Sequence, residues 1–193
     1  MKVELIQATP KAGKLIADIS SICYGHEEAK NPEKLLGNLY KLGHHSTFEH
    51  IYYTFKIEGI SRTCLGQLTR HRHASYTVRS QRYCDESDFK VITPDPIWDS
   101  SERDKFFKTV ESISLMYDEL IEAGIKREDA RFILPQALAT DLYMSCNLRE
   151  LMHINKLRTA KNAQWEIRDL VNEMTMLVVE NSPELSFIFE EGK

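Results

Sequence analysis

Two hydrophobic rhythms interleave along this chain, and their order limits the fold more than any other feature. Leu15, Ile16, Ile19, Ile22 and Cys23, within Pro10 to Tyr24, recur at three- and four-residue steps, the apolar stripe of an amphipathic helix. The same step returns in Phe106, Phe107, Val110, Ile113, Tyr117, Leu120 and Ile121, and again in Trp165, Ile167, Leu170, Val171, Met174, Leu177 and Val178. Between these stripes, Ile51 to Ile57 is dense in β-branched and aromatic residues over a strand-like length. Helical and extended stretches do not follow a βαβ order, so the reading is α+β: a single compact domain over residues 1–193, with a small mixed or antiparallel sheet flanked by helices. A domain of this size buries roughly 70% of the surface its unfolded chain exposes, and a second core is not required.

Local punctuation places the boundaries. Asn31-Pro32 offers an N-cap with proline at the first helical position, and Gly43 stops that helix. Gly59 is expected to end the strand that begins at Ile51. Arg62 to His73 reads as helix with Cys64, Leu65 and Leu68 on one side, and Ser75 to Tyr83 as extended chain. Lys90 to Ile97 suggests a short strand and a turn at Pro94-Asp95-Pro96. Gly124 closes the long helix, and Pro135 breaks any regular structure beyond it. Leu138 to Cys146 reads as a strand and Leu148 to Leu157 as a helix; Asn162 is the expected cap of the last helix, which runs toward Pro183.

Composition narrows the function. No apolar run approaches the roughly 20 residues that span a bilayer, and Met1 to Leu5 lacks the pattern of a secretory signal, so a cytoplasmic location is expected. Cys23, Cys64, Cys84 and Cys146 form no C-x-x-C pair, which argues for reduced thiols and against a zinc ribbon or redox pair. A net charge of −4 argues against generic nucleic-acid binding. Its distribution is uneven. From Gly59 to Cys84 no acidic residue occurs, while Arg62, Arg70, Arg72, Arg79 and Arg82 join His71 and His73.

Neither a G-x-G-x-x-G turn nor a P-loop is present, so phosphate must be held by side chains and helix ends. The arginines suit that task, because a guanidinium fork matches phosphate oxygens and keeps its charge. One reading is a small RNA- or nucleotide-binding module that grips phosphates through Arg70 to Arg82, with Tyr76 and Tyr83 stacking on bases. His44, His45, His50 and Glu49 could suggest a metal, but they lack a paired i, i+4 histidine motif with its base, so none is expected.

A more specific pattern lies across the island. Arg70-His71-Arg72, seven residues and then Ser80-Gln81-Arg82-Tyr83 resembles the signature of flavin-dependent thymidylate synthases. Gly43-His44-His45-Ser46-Thr47-Phe48-Glu49-His50 is similar to a second segment of that family, and Ala160-x-x-Ala163-Gln164-Trp165-Glu166-Ile167 to its C-terminal block. The likeness runs from about His44 to Phe189. At Val78 the chain departs from the Glu or Gln usual there.

The resemblance implies an enzyme that methylates dUMP to dTMP. Methylenetetrahydrofolate gives the carbon, NADPH-reduced, noncovalently held FAD gives the hydride, and tetrahydrofolate leaves unoxidised. Gln67, Arg70, Ser80, Gln81, Arg82, Arg131 and Arg158 are implied at dUMP, with Arg70, Arg82 and Arg131 near its phosphate. Ser46, Arg72, His73, Asn147, Arg149 and His153 are implied at FAD, with Glu49 and His71 lining or supporting that site. A homotetramer whose active sites are shared between subunits is implied as well, with the helices at Phe106 and Trp165 as candidate interface.

The residues bear on mechanism too. None of the cysteines follows a proline, the context of the nucleophile in the cysteine-dependent thymidylate synthase. No histidine–carboxylate relay is readable beside Ser80, which is assigned to substrate binding. Arg158 is the expected catalytic residue, a fixed cation that stabilises negative charge on the uracil ring.

Overall fold

The computed structural model describes residues 1–190. Its elements, in chain order, are β1 (Lys2–Ala8), α1 (Ala12–Ser21), α2 (Pro32–Lys41), β2 (Tyr52–Ser61), α3 (Arg62–Leu68), β3 (Ala74–Val78), α4 (Asp95–Trp98), α5 (Arg103–Glu122), α6 (Arg127–Ala130), β4 (Ala139–Asn147), α7 (Leu148–Arg158), α8 (Trp165–Asn181) and α9 (Phe187–Glu190). The strands form one antiparallel sheet in the order β1-β2-β4-β3, so the fold class is α+β. By its internal contacts the chain divides into two units. The first holds Met1–Ile57, Leu68–Thr77 and the chain from Tyr143 onward; the second holds Glu58–Gln67 and Val78–Leu142.

In the first unit the core grows from period-two strands and period-3.6 helices. Tyr53, Phe55 and Ile57 of β2 and Met144 and Cys146 of β4 are buried, while Tyr52 and Tyr143 face solvent. α8 packs on β1 and α7, and it buries Ile167, Leu170, Val171, Met174 and Val178. Each such side chain contributes about 1.5–3 kcal/mol, against at most about 1 kcal/mol for an exposed ion pair, so packing holds this helix in place. α1 lies against α2 and has an unusual start. Lys11, at φ 51°, provides no side-chain cap, and the Gly13 N–H donates instead to Glu184 Oε1 at 3.1 Å. A Cβ on Gly13 would lie 2.5 Å from Glu184 Cγ, so only glycine admits this approach.

In the second unit Ile60, Cys64, Leu65, Leu138 and Leu142 are buried. On α5 only Tyr117 is buried, and Leu115 and Met116 are 59% and 48% exposed. The stripe read from sequence is present, but most of it is incompletely covered.

Several boundaries match the expectations. Asn31 accepts a hydrogen bond from the Lys34 N–H and Pro32 opens α2, and Gly43 and Gly124 take positive φ after α2 and α5. Others need correction. β2 runs through Gly59 to Ser61; Gly59 has φ +69° and its N–H donates to Asp141 Oδ1 at 2.9 Å, so it bends the strand without ending it. The burial alternation shifts there, from Tyr53, Phe55 and Ile57 to Ile60, as an inserted residue in a strand would produce.

The helix expected from Arg62 to His73 stops at Leu68, because the Tyr76 hydroxyl satisfies the carbonyls of Leu68 and His71 at 2.8 and 3.0 Å. Lys90 to Ile97 contributes a single bridge, Val91 to Leu138, and Pro96 lies in the first turn of α4. The α8 cap is Gln164, not Asn162; its side chain accepts from the Ile167 N–H at 3.1 Å, three residues on. β1 had no clean period-two signal, since only Val3 of it is buried.

Candidate active site

Arg158, the last residue of α7, is half-buried and its Nε donates to His71 Nε2 at 2.9 Å. His71 is 5% exposed and sits in the turn between α3 and β3. Burial, reinforced by the cation of Arg158 and by His153, pulls its pKa down to about 4, so the ring is neutral at physiological pH. Accepting at Nε2 places the remaining ring proton on Nδ1, which faces Glu150 Oε1 at 3.8 Å. Glu150 is buried in the first turn of α7, and its N–H is capped by Asn147 Oδ1 at 2.8 Å. The Tyr76 hydroxyl fixes the His71 main chain from β3. The His153 ring meets His71 edge-on at 5.9 Å.

The exposed side of α7 carries a second group. Arg149 forms an ion pair with Glu49, in the 3₁₀ turn His45–His50. A concavity of about 520 Å³ is lined by Tyr40, Lys41, His45, Arg149, Met152 and His153. Another of about 330 Å³ shares His45 and Arg149 and includes Ser46. Both volumes lie in the range of small-molecule sites. His45 stacks on Tyr40 with ring centroids 5.6 Å apart and bonds through Nε2 to the Tyr40 carbonyl at 3.1 Å, which turns it toward α2. Arg72 and His73 are exposed beside His71, and the Asn147 carbonyl oxygen serves the helix cap.

These residues fit a flavin dinucleotide. Arg149 and Lys41 offer positive donors to a pyrophosphate, and Tyr40, His45 and Met152 offer apolar and ring surface.

The second unit contains a cluster of arginines. Arg82 donates from Nε and Nη2 to Glu128 Oε2 at 2.9 and 2.8 Å. Arg131 donates from Nε to the Glu128 carbonyl at 3.0 Å, so one residue holds both. Ser80 Oγ accepts from the Arg82 N–H at 3.3 Å, while Gln67 and Gln81 are half-buried. Glu86, 4% exposed, lies 3.5 Å from Arg79 Nε, and burial raises its pKa despite the nearby Arg79 and Arg62. Arg70 is exposed and, like Arg158, belongs to the first unit.

The sequence model of the family described as thymidylate synthase complementing protein matches residues 4–184. The chain belongs to the flavin-dependent thymidylate synthase family. It is 39% identical over 192 residues to the flavin-dependent thymidylate synthase of Haloarcula marismortui, covering 86% of this chain and 77% of that protein. The Clostridium tetani enzyme of the same name is 36% identical over 211 residues, covering 96% and 85%. That of Pyrococcus furiosus is 47% identical over 148 residues, covering 74% and 60%.

In this flavin-dependent thymidylate synthase family member, sequence reasoning passed over Glu150 and Glu128, and it read Tyr76 as a base-stacking residue and not as the hydroxyl that holds the His71 main chain. Glu150 had a usable signal: Asn147-x-x-Glu150 places an acid at the third helical position after an asparagine cap. Tyr76 and Glu128 had none, since each acts on groups brought near by folding. At Val78 the side chain is half-buried at the end of β3, and the next residue, Arg79, turns to Asp85 and Glu86.

Proposed function

We propose that this methyltransferase converts dUMP to dTMP, taking the carbon from methylenetetrahydrofolate and the hydride from FAD reduced by NADPH, and releasing tetrahydrofolate. The observation that carries the reading is Arg158 held at Nε by an uncharged imidazole. That partner does not neutralise the cation. A fixed guanidinium beside the uracil stabilises the negative charge that develops at N3 and its neighbouring carbonyl.

Arg70, Arg82 and Arg131 take the dUMP phosphate, and Gln67, Ser80 and Gln81 hold the remainder of the nucleotide together with Arg158. Ser46, Arg72, His73, Asn147, Arg149 and His153 hold FAD, with Glu49 and His71 supporting them. FAD, when bound, supplies the hydride that completes the methyl group. Cysteine takes no covalent part: Cys64 and Cys146 are buried, and burial pushes the Cys146 thiol up to about 12.

The enzyme works as a homotetramer in the cytoplasm, each chain contributing one catalytic domain to active sites shared between subunits. The exposed Leu115 and Met116 of α5 support such a contact. Among the described residues no helix is long and apolar enough to cross a membrane.

The deciding experiment is a visible absorption spectrum of the purified protein followed by a dTMP assay with dUMP, methylenetetrahydrofolate and NADPH. A yellow protein that forms dTMP is expected. A colourless protein that takes up no added FAD refutes the reading.

A further inference from the structure

His71 stands in the middle of a chain of contacts that leads to Arg158 from three directions. Its Nε2 accepts from Arg158 Nε at 2.9 Å, its Nδ1 faces the buried Glu150 carboxylate at 3.8 Å, and its carbonyl accepts from Tyr76 at 3.0 Å. A guanidinium has donors only, so a partner that orients it must be an acceptor. A neutral imidazole is an acceptor on one nitrogen, whereas an imidazolium donates on both and repels a neighbouring cation. The ring is 5% exposed, which leaves little surface for a direct ligand contact.

From these contacts we infer that His71 is a positioning residue for Arg158: it aligns the guanidinium as a buried acceptor, and Glu150 selects the tautomer that makes this possible. The inference rests on the reading that Arg158 acts on the uracil. It gives His71 a part in the nucleotide half of the reaction beside its supporting place at FAD.

The energetic logic is one of geometry. Arg158 is the last residue of its helix. Without an acceptor at Nε the guanidinium loses the bond that sets the direction of that nitrogen, and a displacement of about 1 Å in a reacting group's support costs on the order of 10²-fold in rate. Glutamine is the conservative replacement, because its amide oxygen can reach the place of Nε2. Leucine fills the space and accepts nothing.

The test measures kcat at saturating dUMP, the dUMP KM and flavin content for His71→Leu, His71→Gln, Arg158→Ala and the double variant His71→Leu/Arg158→Ala. Expected are a loss of about 10²-fold in kcat per bound flavin for His71→Leu, recovery of most of that loss in His71→Gln, and a double variant no slower than Arg158→Ala. Wild-type kcat per bound flavin in His71→Leu, or a loss per bound flavin that adds to the effect of Arg158→Ala, overturns the inference.

The two readings separate cleanly. Arg158→Ala at the wild-type rate removes the role of Arg158 itself, whereas a slow Arg158→Ala beside a normal His71→Leu removes only the role of His71. If His71→Leu does not fold, the pH profile decides. Arg158, Glu150 and His153 from α7 and Tyr76 from β3 all face His71, and only the imidazole is changed in His71→Gln. An acid decline in wild-type kcat that disappears in His71→Gln supports the inference; the same decline in both overturns it.

Discussion

Glu128 receives Nε and Nη2 of Arg82 on a single carboxylate oxygen, at 2.9 and 2.8 Å, while its own carbonyl holds Arg131. The pair is partly exposed, and a nucleotide phosphate drawn to Arg82 must compete with that carboxylate. Such a pair contributes at most about 1 kcal/mol, a factor of about five in affinity. Glu128→Gln is therefore expected to lower the dUMP KM by up to about fivefold and to weaken its dependence on salt. Steady-state kinetics at two ionic strengths check this; a higher KM would mean that Glu128 aligns Arg82 more than it competes for it.

Arg158→Ala is expected to cut dTMP formation by about 10² to 10³ at saturating dUMP, the usual loss of one electrostatic donor. Flavin reduction by NADPH should continue, because Arg158 is assigned to the uracil. Arg70→Ala should instead raise the dUMP concentration required. Stopped-flow flavin reduction beside steady-state turnover separates the two steps, and a wild-type rate in saturated Arg158→Ala would leave the residue with binding alone.

Replacing all four cysteines should leave measurable turnover. The cost should fall on stability at Cys146, which is 1% exposed: a serine there buries a hydroxyl, at about 1–3 kcal/mol if it lacks a partner. Urea unfolding of Cys146→Ser beside Cys23→Ser, whose site is exposed, gives the comparison. Loss of all turnover in a flavin-loaded single variant would point to covalent chemistry after all.

Acid should loosen the fold through His71. Its folded pKa, about 4, lies below the ordinary 6.5, so folding favours the neutral ring. The stability is present in full above about 6.5 and is lost progressively as pH falls toward 4, because the unfolded chain takes up the proton first. Denaturation midpoints should decline through that window in the wild type, and the part due to this ring should vanish in His71→Gln. Parallel curves for the two proteins would show that other groups set the acid response.

What could be read from the sequence depended on distance along the chain. The Asn31-Pro32 cap, the glycine stops at Gly43 and Gly124 and the stripe of α8 are signals written within one or two helical turns, and each is found in the fold. Gly59 was seen but misread, since a positive-φ glycine can bend a paired strand as readily as end it. β1 was missed because it buries little on either face. At the site, the residue types came from local motifs, yet the bond between His71 and Arg158 spans 87 positions, and no periodicity records it. The tautomer of His71 was further out of reach, since it follows from the Arg158 donor that only the fold brings to Nε2.

The contact between Gly13 and Glu184 sets a timetable for the molecule's making. The two residues are 171 positions apart, so the carboxylate that closes the start of α1 is made long after the helix it serves. Until it emerges, the Gly13 amide at the leading end of the first helix can be met only by water. The closing of this one amide thus waits on a segment made long after the helix itself.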